Sequence, residues 1–310
     1  LSVKTNFGLD FMYNRNVSTL HRDHPNAQQN HGYYGQTSSE LFRYTWTNTI
    51  NVNKDFANGH SLNAVAGMEM FQGKWYTSNF TGYDLNSDMM QSPAGIGDKS
   101  GSSLFPPSIG GGRTMSNLMS FFAQASYSIA NKYNFSASLR HDTSSKFYED
   151  NASATFWSVG ASWLISSESW FDNAKWLNQL KLRASYGTTG NQDGVSDFGT
   201  FDGYYNSSYN GESGYSHGQL GNSELRWETS AQTNVDVSVL DSRVNVTFDF
   251  YNIKTKDLYM SKNISMTSGF SSILANAGSI VNRGVELGVN TTPVKTQNFQ
   301  WDLGFNYTYN

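Results

Sequence analysis

One pattern constrains this chain more than any other. Apolar and polar side chains alternate with period two over runs longer than the roughly five or six residues of an ordinary strand. Val3, Phe7, Leu9, Phe11 and Tyr13 share one face, and Lys4, Asn6 and Asp10 share the other. Phe42, Tyr44, Trp46, Ile50 and Val52 alternate with Arg43, Thr45, Thr47, Thr49 and Asn51. The pattern returns in Leu62–Met70, Met119–Ile129, Tyr133–Leu139, Trp157–Ile165, Leu180–Tyr186, Ala231–Val239, Val244–Phe250, Val285–Val289 and Phe299–Tyr309. These eleven runs are strand candidates, and a tilted strand needs about 9–11 residues to cross a bilayer.

No window approaches the roughly 18 apolar residues of a membrane helix, so the one spanning structure open to this chain is a β-barrel. Charged residues make up 15%, against roughly 25% in soluble domains, while aromatics also reach 15%. That balance fits neither a disordered tail nor a coiled coil. The net charge is −4 and no block of like charges occurs, so nothing points to nucleic acid. With no cysteine, disulfide scaffolds, thiolate metal sites and a Cys nucleophile are excluded.

The connections alternate as well. Long polar stretches follow Tyr13 (to about Ser39), Trp75 (to about Ser116), Gly190 (to Arg226) and Thr255 (to Asn282). Tight turns at Asp55–His60, Ala130–Lys132, Leu240–Arg243 and Pro293–Asn298 fall between them, with a compact Ser166–Asn178 link that holds Trp170, Phe171 and Trp176. Short periplasmic turns opposite long extracellular loops are what an outer-membrane barrel requires. Trp157 with Trp163, and Trp301 with Tyr307 and Tyr309, bracket apolar faces as interfacial aromatic girdles do. The expected fold is an all-β antiparallel transmembrane barrel segment over residues 1–310.

No catalytic constellation stands out. Gly214-Tyr215-Ser216-His217-Gly218 matches a nucleophile elbow, but its flanks are loop residues rather than a strand and a helix. His21, His24 and His31 cluster in a loop without a fixed carboxylate, a poor metal site. Asp84–Asp88 opens like a calcium loop, yet Met89 and Gly95 stand where Gly and the bidentate Glu belong. Around Gly95–Ser100, Asp98 separates Gly97 from Lys99 and breaks a phosphate loop. No cofactor and no enzymatic activity are expected. The loops do carry a recognition signature: Trp75 and Tyr83 in or beside one, and Tyr204, Tyr205, Tyr209 and Tyr215 in another, among Asn, Ser and Gly. Flat rings of this kind stack on sugar faces or peptide groups at small entropic cost. In the second loop Asp193, Asp197, Asp202, Glu212 and Glu224 stand uncompensated until Arg226, which favours a neutral or cationic ligand.

Five ordered blocks carry a family resemblance. They are Trp163–Phe171 (WLISSESWF), Leu182–Gln192 (LRASYGTTGNQ), Leu225–Thr229 (LRWET), Phe250–Tyr259 (FYNIKTKDLY) and Asn276–Leu287 (NAGSIVNRGVEL). Together they resemble the SusC/RagA-type TonB-linked outer-membrane transporters of Bacteroidetes. The resemblance implies a plugged barrel of about 22 strands, of which eleven make half. It also implies energising by TonB–ExbB–ExbD through an N-terminal part, a SusD-like surface lipoprotein that closes over the mouth, and oligosaccharide or peptide substrates. The plug, TonB box and terminal strands are not in the sequence, so the expectation is a barrel fragment. Competing readings are a passive porin-like channel and a secreted β-rich adhesin. An outer-membrane lipase would need a Ser–His pair near the rim, and none is recognisable.

Overall fold

The computed structural model describes residues 1–27, 29–86, 92–97, 107–171, 178–240 and 243–310, with the side chain of Leu240 left aside. The long alternating runs become the strands β1 (Ser2–Leu20), β2 (Tyr33–Phe56), β3 (His60–Tyr83), β4 (Ser108–Ile129), β5 (Tyr133–Ser144), β6 (Ser153–Leu164) and β7 (Gln179–Asn191). Two short strands follow, β8 (Gly203–Tyr209) and β9 (Glu212–Gln219), then β10 (Glu228–Leu240) and β11 (Val244–Lys256). A second short pair, β12 (Tyr259–Asn263) and β13 (Ser272–Asn276), precedes β14 (Ser279–Lys295) and β15 (Gln300–Tyr309). An 11-stranded sheet has the order β1-β2-β3-β4-β5-β6-β7-β10-β11-β14-β15, while β8-β9 and β12-β13 form separate two-stranded sheets.

The eleven alternating runs are the eleven strands of the large sheet, but four loop boundaries are corrected. The first loop begins after Leu20, not Tyr13, and ends at Tyr33. The Trp75–Ser116 stretch is strand as far as Tyr83 and again from Ser108. Gly190–Arg226 contains β8 and β9, and Thr255–Asn282 contains β12, β13 and the start of β14. The physical reason is common to the first two. Where a strand projects beyond the hydrocarbon, neither face needs to be apolar, so alternation fades while the hydrogen-bond ladder continues.

The chain divides into two compact units. One comprises Leu1–Asn6, Thr47–Met70 and Leu118–Asn310, and the other Phe7–Trp46 and Phe71–Asn117. In the first unit the register sets the faces. One row of cross-strand partners reads Trp163, Leu182, Val237, Phe248, Leu287 and Tyr307. The adjacent row on the opposite face reads Ser162, Arg183, Asp236, Asp249, Glu286 and Thr308. Many large apolar side chains of the first face are exposed to the surroundings, among them Phe135, Leu139, Val159, Phe248 and Phe305. Only nine hydrophobic residues of the described chain are buried. A sheet in water hides its apolar face under a second layer. Here no second layer exists among the described residues, and lipid is the solvent that satisfies the face. Trp301 and Tyr309 are about 27 Å apart along β15, or roughly 20 Å after a tilt of about 40°, close to the height of a lipid-facing band.

The turns obey local chemistry. Asn58-Gly59 and Ala130-Asn131 all take positive φ, the geometry of the two-residue turns that suit twisted strands. In the Ser166–Asn178 link, Glu168 accepts from Tyr133 Oη (2.5 Å), Trp163 Nε1 (3.0 Å) and Lys132 Nζ (3.4 Å). The Tyr133 and Trp163 hydrogen bonds hold its carboxyl below the usual range. Trp176 of this link lies outside the described residues.

The second unit carries its own small core. Ala27, Tyr34 and Leu85 are fully buried, Tyr34 stacks with Phe80, and Leu85 bridges to Ile96.

Candidate functional site

The loops on the long side of the first unit are not loose. Phe147, Phe156, Val195, Leu225 and Trp227 form a buried cluster, with Leu118, Ala152, Ala154, Tyr259 and Leu274 packed against it. Three connections meet in that cluster: β5–β6, β7–β10 and β11–β14. The Trp227 ring lies 5.2 Å from Phe147 and 5.7 Å from Phe156, and its Nε1 donates to Ala152 O at 3.2 Å. Gly190 is required here, because a Cβ at that position would overlap the Phe156 ring.

Polar groups pin the same three loops. Asn276 Nδ2 donates to Arg226 O (2.8 Å) and Asp257 O (2.7 Å), and its Oδ1 accepts from Arg226 N (2.8 Å). Arg226 Nη2 reaches Asp257 Oδ1 at 2.6 Å. Tyr259 Oη donates to Asn191 O at 2.9 Å and accepts from Glu228 N at 3.1 Å. Burial pushes the Tyr259 hydroxyl up to about 12, so it stays a donor through neutral pH. Ser144 Oγ donates to Gln192 Oε1, and Lys146 Nζ donates to Val195 O at 2.9 Å. The outcome is a collar above the lipid band, built largely by the blocks that carry the family resemblance.

From this collar the β8–β9 hairpin projects. Its turn, Asn210-Gly211, has both residues at positive φ. The Asn-Gly pair is a strong hairpin signal in sequence, and it is what the reading of Gly190–Arg226 as plain loop passed over. The four predicted tyrosines all lie on this hairpin and are exposed. The register separates them. Tyr204 pairs with His217 and Asn206 with Tyr215, whereas Tyr205 pairs with Ser216 and Tyr209 with Glu212. Cross-strand partners share a face and successive residues alternate, so Tyr204 and Tyr215 lie opposite to Tyr205 and Tyr209. Two residues missed as site candidates join the first face. His217 stacks on Tyr204 at 4.8 Å and 12°, and Phe270, from the β12–β13 turn, meets His217 edge-on at 4.8 Å. Gly214–Gly218 is thus strand β9, without the strand–turn–helix of a nucleophile elbow.

The charge of this loop is also corrected. Asp197 is offset by Lys146 Nζ at 3.9 Å, whereas Asp202 lies 3.4 Å from the His217 imidazole, which supplies no fixed charge. Asp193, Glu212 and Glu224 have no ion pair among the described residues.

The other predicted residues belong to the second unit. Trp75 and Tyr83 lie on β3 itself, with Trp75 Nε1 donating to Thr77 Oγ1 at 2.6 Å and Tyr83 edge-on to Tyr33 at 6.5 Å. His31 Nδ1 lies 3.0 Å from Asp84 Oδ1, while His21 and His24 accept from the backbone of Asp23 and Asn26. The calcium-like and phosphate-like runs fall partly outside the described residues, at Ser87, Asp88, Met89, Asp98, Lys99 and Ser100.

Residues 2–310 match the family described as TonB dependent receptor-like, beta-barrel. The chain is 35% identical over 268 residues to TonB-dependent receptor P39 of Formosa agariphila, covering 85% of this chain and 25% of that protein. It is 35% identical over 207 residues to TonB-dependent receptor SusC of Bacteroides thetaiotaomicron, covering 64% of this chain and 21% of that one. Among solved structures, the RagAB peptide transporter superposes with a TM-score of 0.86 at 26% identity, over 99% of this chain and 34% of that chain. The chain therefore spans about a quarter of the length of the curated relatives it matches.

Proposed function

The chain belongs to the TonB-dependent receptor β-barrel family of the outer membrane, and from that premise we propose that it is part of an importer of large nutrients. Residues 1–310 form one partial barrel domain of that importer. A SusD-like lipoprotein covers its extracellular mouth, and TonB–ExbB–ExbD drives transport through a segment N-terminal to these strands. The match of residues 2–310 to the receptor barrel carries this reading. The likeness to SusC and to RagAB supports the lipoprotein partner.

The substrate we favour is a neutral oligosaccharide. Exposed tyrosines on a pinned hairpin suit stacking on sugar rings, and Glu212 opposite Tyr209, with Asp193 and Glu224 in the same connection, disfavours acidic glycans. A peptide substrate is the second reading, favoured by the likeness to a structure described as a peptide transporter. Uptake of labelled neutral oligosaccharides by a strain deleted for the full gene tests the proposal. Deletion should abolish uptake, the gene should restore it, and a protonophore should block it. Uptake that persists with the protonophore would indicate a passive channel, and uptake of peptides alone would select the second reading.

A further inference from the structure

Resting on the oligosaccharide reading, we propose that ligand is held on one face only of the β8–β9 hairpin, by Tyr215, Tyr204, His217 and Phe270, with Asp202 and Asn206 as hydroxyl partners. Three observations select that face. The register places Tyr204, Asn206, Tyr215 and His217 together on it. Tyr204, His217 and Phe270 form a ring series, and Tyr215 lies beside it. Tyr215 is the diagonal neighbour of Tyr204, within reach of an aromatic side chain, and the Tyr204–His217 and His217–Phe270 centroids are each 4.8 Å apart. Tyr215 is also 80% exposed, and Tyr204 is 66% exposed with one face on His217, so the Tyr215 ring and the far face of Tyr204 remain open.

The opposite face lacks this continuity. Tyr205 lies over Gly218, where a Cβ would come within 2.6 Å of the ring, and Tyr209 stands alone at the tip opposite Glu212. No second ring joins either of them among the described residues.

The polar groups complete the chemistry. Asp202 Oδ1 accepts Gly221 N at 2.9 Å and lies 3.4 Å from His217 Nε2, which fixes a half-exposed carboxylate beside the rings. A carboxylate and an amide next to an aromatic series accept and donate to hydroxyls while the rings cover the C–H face of a sugar. A linear neutral saccharide longer than one ring matches this arrangement. A polyuronate would set its carboxylates against Asp202. Phe270 comes from a different loop than Tyr204, so the platform exists only because the collar fixes both loops.

The test uses the full-length transporter with its lipoprotein partner. The probes are neutral gluco-, manno- and xylo-oligosaccharides, with oligogalacturonate as the acidic counterpart. Titration calorimetry of Tyr215→Ala, which removes a ring that supports no neighbour, should show binding of the neutral probe weakened roughly fivefold. Phe270→Ala should weaken it similarly, and Tyr205→Ala and Tyr209→Ala should leave it unchanged. Equal losses on both faces, or losses confined to Tyr205 and Tyr209, overturn the face assignment while leaving the importer reading intact. Wild-type protein that binds none of the neutral probes and instead binds peptides or oligogalacturonate overturns the oligosaccharide reading, and this inference with it.

Discussion

Placing a charge at Val237 tests the lipid-facing assignment most directly. The row Trp163–Leu182–Val237–Phe248–Leu287–Tyr307 crosses the band obliquely, because the strands tilt. Trp163 stands at the turn end of β6, two residues before its 3₁₀ turn, and Tyr307 near the far end of β15. Val237 is third of six, between Leu182 and Phe248, and so sits near the bilayer midplane. Lysine there should cost about 2–4 kcal/mol, a change of roughly 30- to 1,000-fold in the folding equilibrium. The control is Asn306→Lys, on the opposite face and exposed, which should stay within about 0.5 kcal/mol. Ser238 shares that face but is buried between Lys181 and Thr247, so it is not an indifferent control. The assay is urea-dependent folding of the full-length protein into phospholipid vesicles, read as the heat-modifiable gel mobility of the barrel. Equal costs at Val237 and Asn306 would refute the assignment of faces.

The collar yields three further predictions. Asn276→Ala removes three hydrogen bonds to backbone, each worth about 1 kcal/mol; hydrogen exchange should rise in β12, β13 and around Arg226 while β10 and β11 stay protected. Trp227→Ala should cost about 3–5 kcal/mol by emptying the site between Phe147 and Phe156, seen as faster proteolysis of the three loops with the strands intact. Tyr259 has its pKa raised by burial, so its contribution is complete below pH 10 and is lost as pH rises through about 12; loop protection should fall in that window in wild type, and Tyr259→Phe should remove the alkaline step.

How much of this was legible in the sequence depends on what each residue answers to. The eleven wall strands were legible because lipid on one side imposes a strict period of two on residues such as Val235, Val237 and Val239. Above the lipid that constraint ends. The last third of β1 and the start of β2 therefore read as polar loop although they are paired strand. The β8–β9 hairpin was signalled by Asn210-Gly211, and the tyrosines were found by type, but their division between two faces needed the register. His217 was noticed only inside a catalytic pattern that its strand context rules out, and Phe270 carried no signal, because its partner is more than fifty residues away. Long-range pairing also hid the neutralisation of Asp197 by Lys146.

The blocks that carry the family resemblance and the residues that favour a ligand do different work. Glu168 ties two turns at one end of the wall, while Asn191, Gln192, Arg226, Trp227, Asp257, Tyr259 and Asn276 tie three loops at the other. Apart from the Trp163–Glu168 bond, these contacts join segments distant in sequence, so a change at one position removes a hydrogen bond or packing contact from another loop. Such positions resist change whatever is transported. Tyr204, Tyr215 and Phe270 instead stand apart from the collar's buried cluster, Tyr204 and Tyr215 exposed and Tyr204 and Phe270 packed on His217, and can vary without loosening the wall. Likeness to relatives through the collar therefore supports membership of the barrel family and says nothing of substrate choice. On our proposal specificity rests with the few rings above the collar, and one likeness to a peptide transporter does not decide between peptide and sugar.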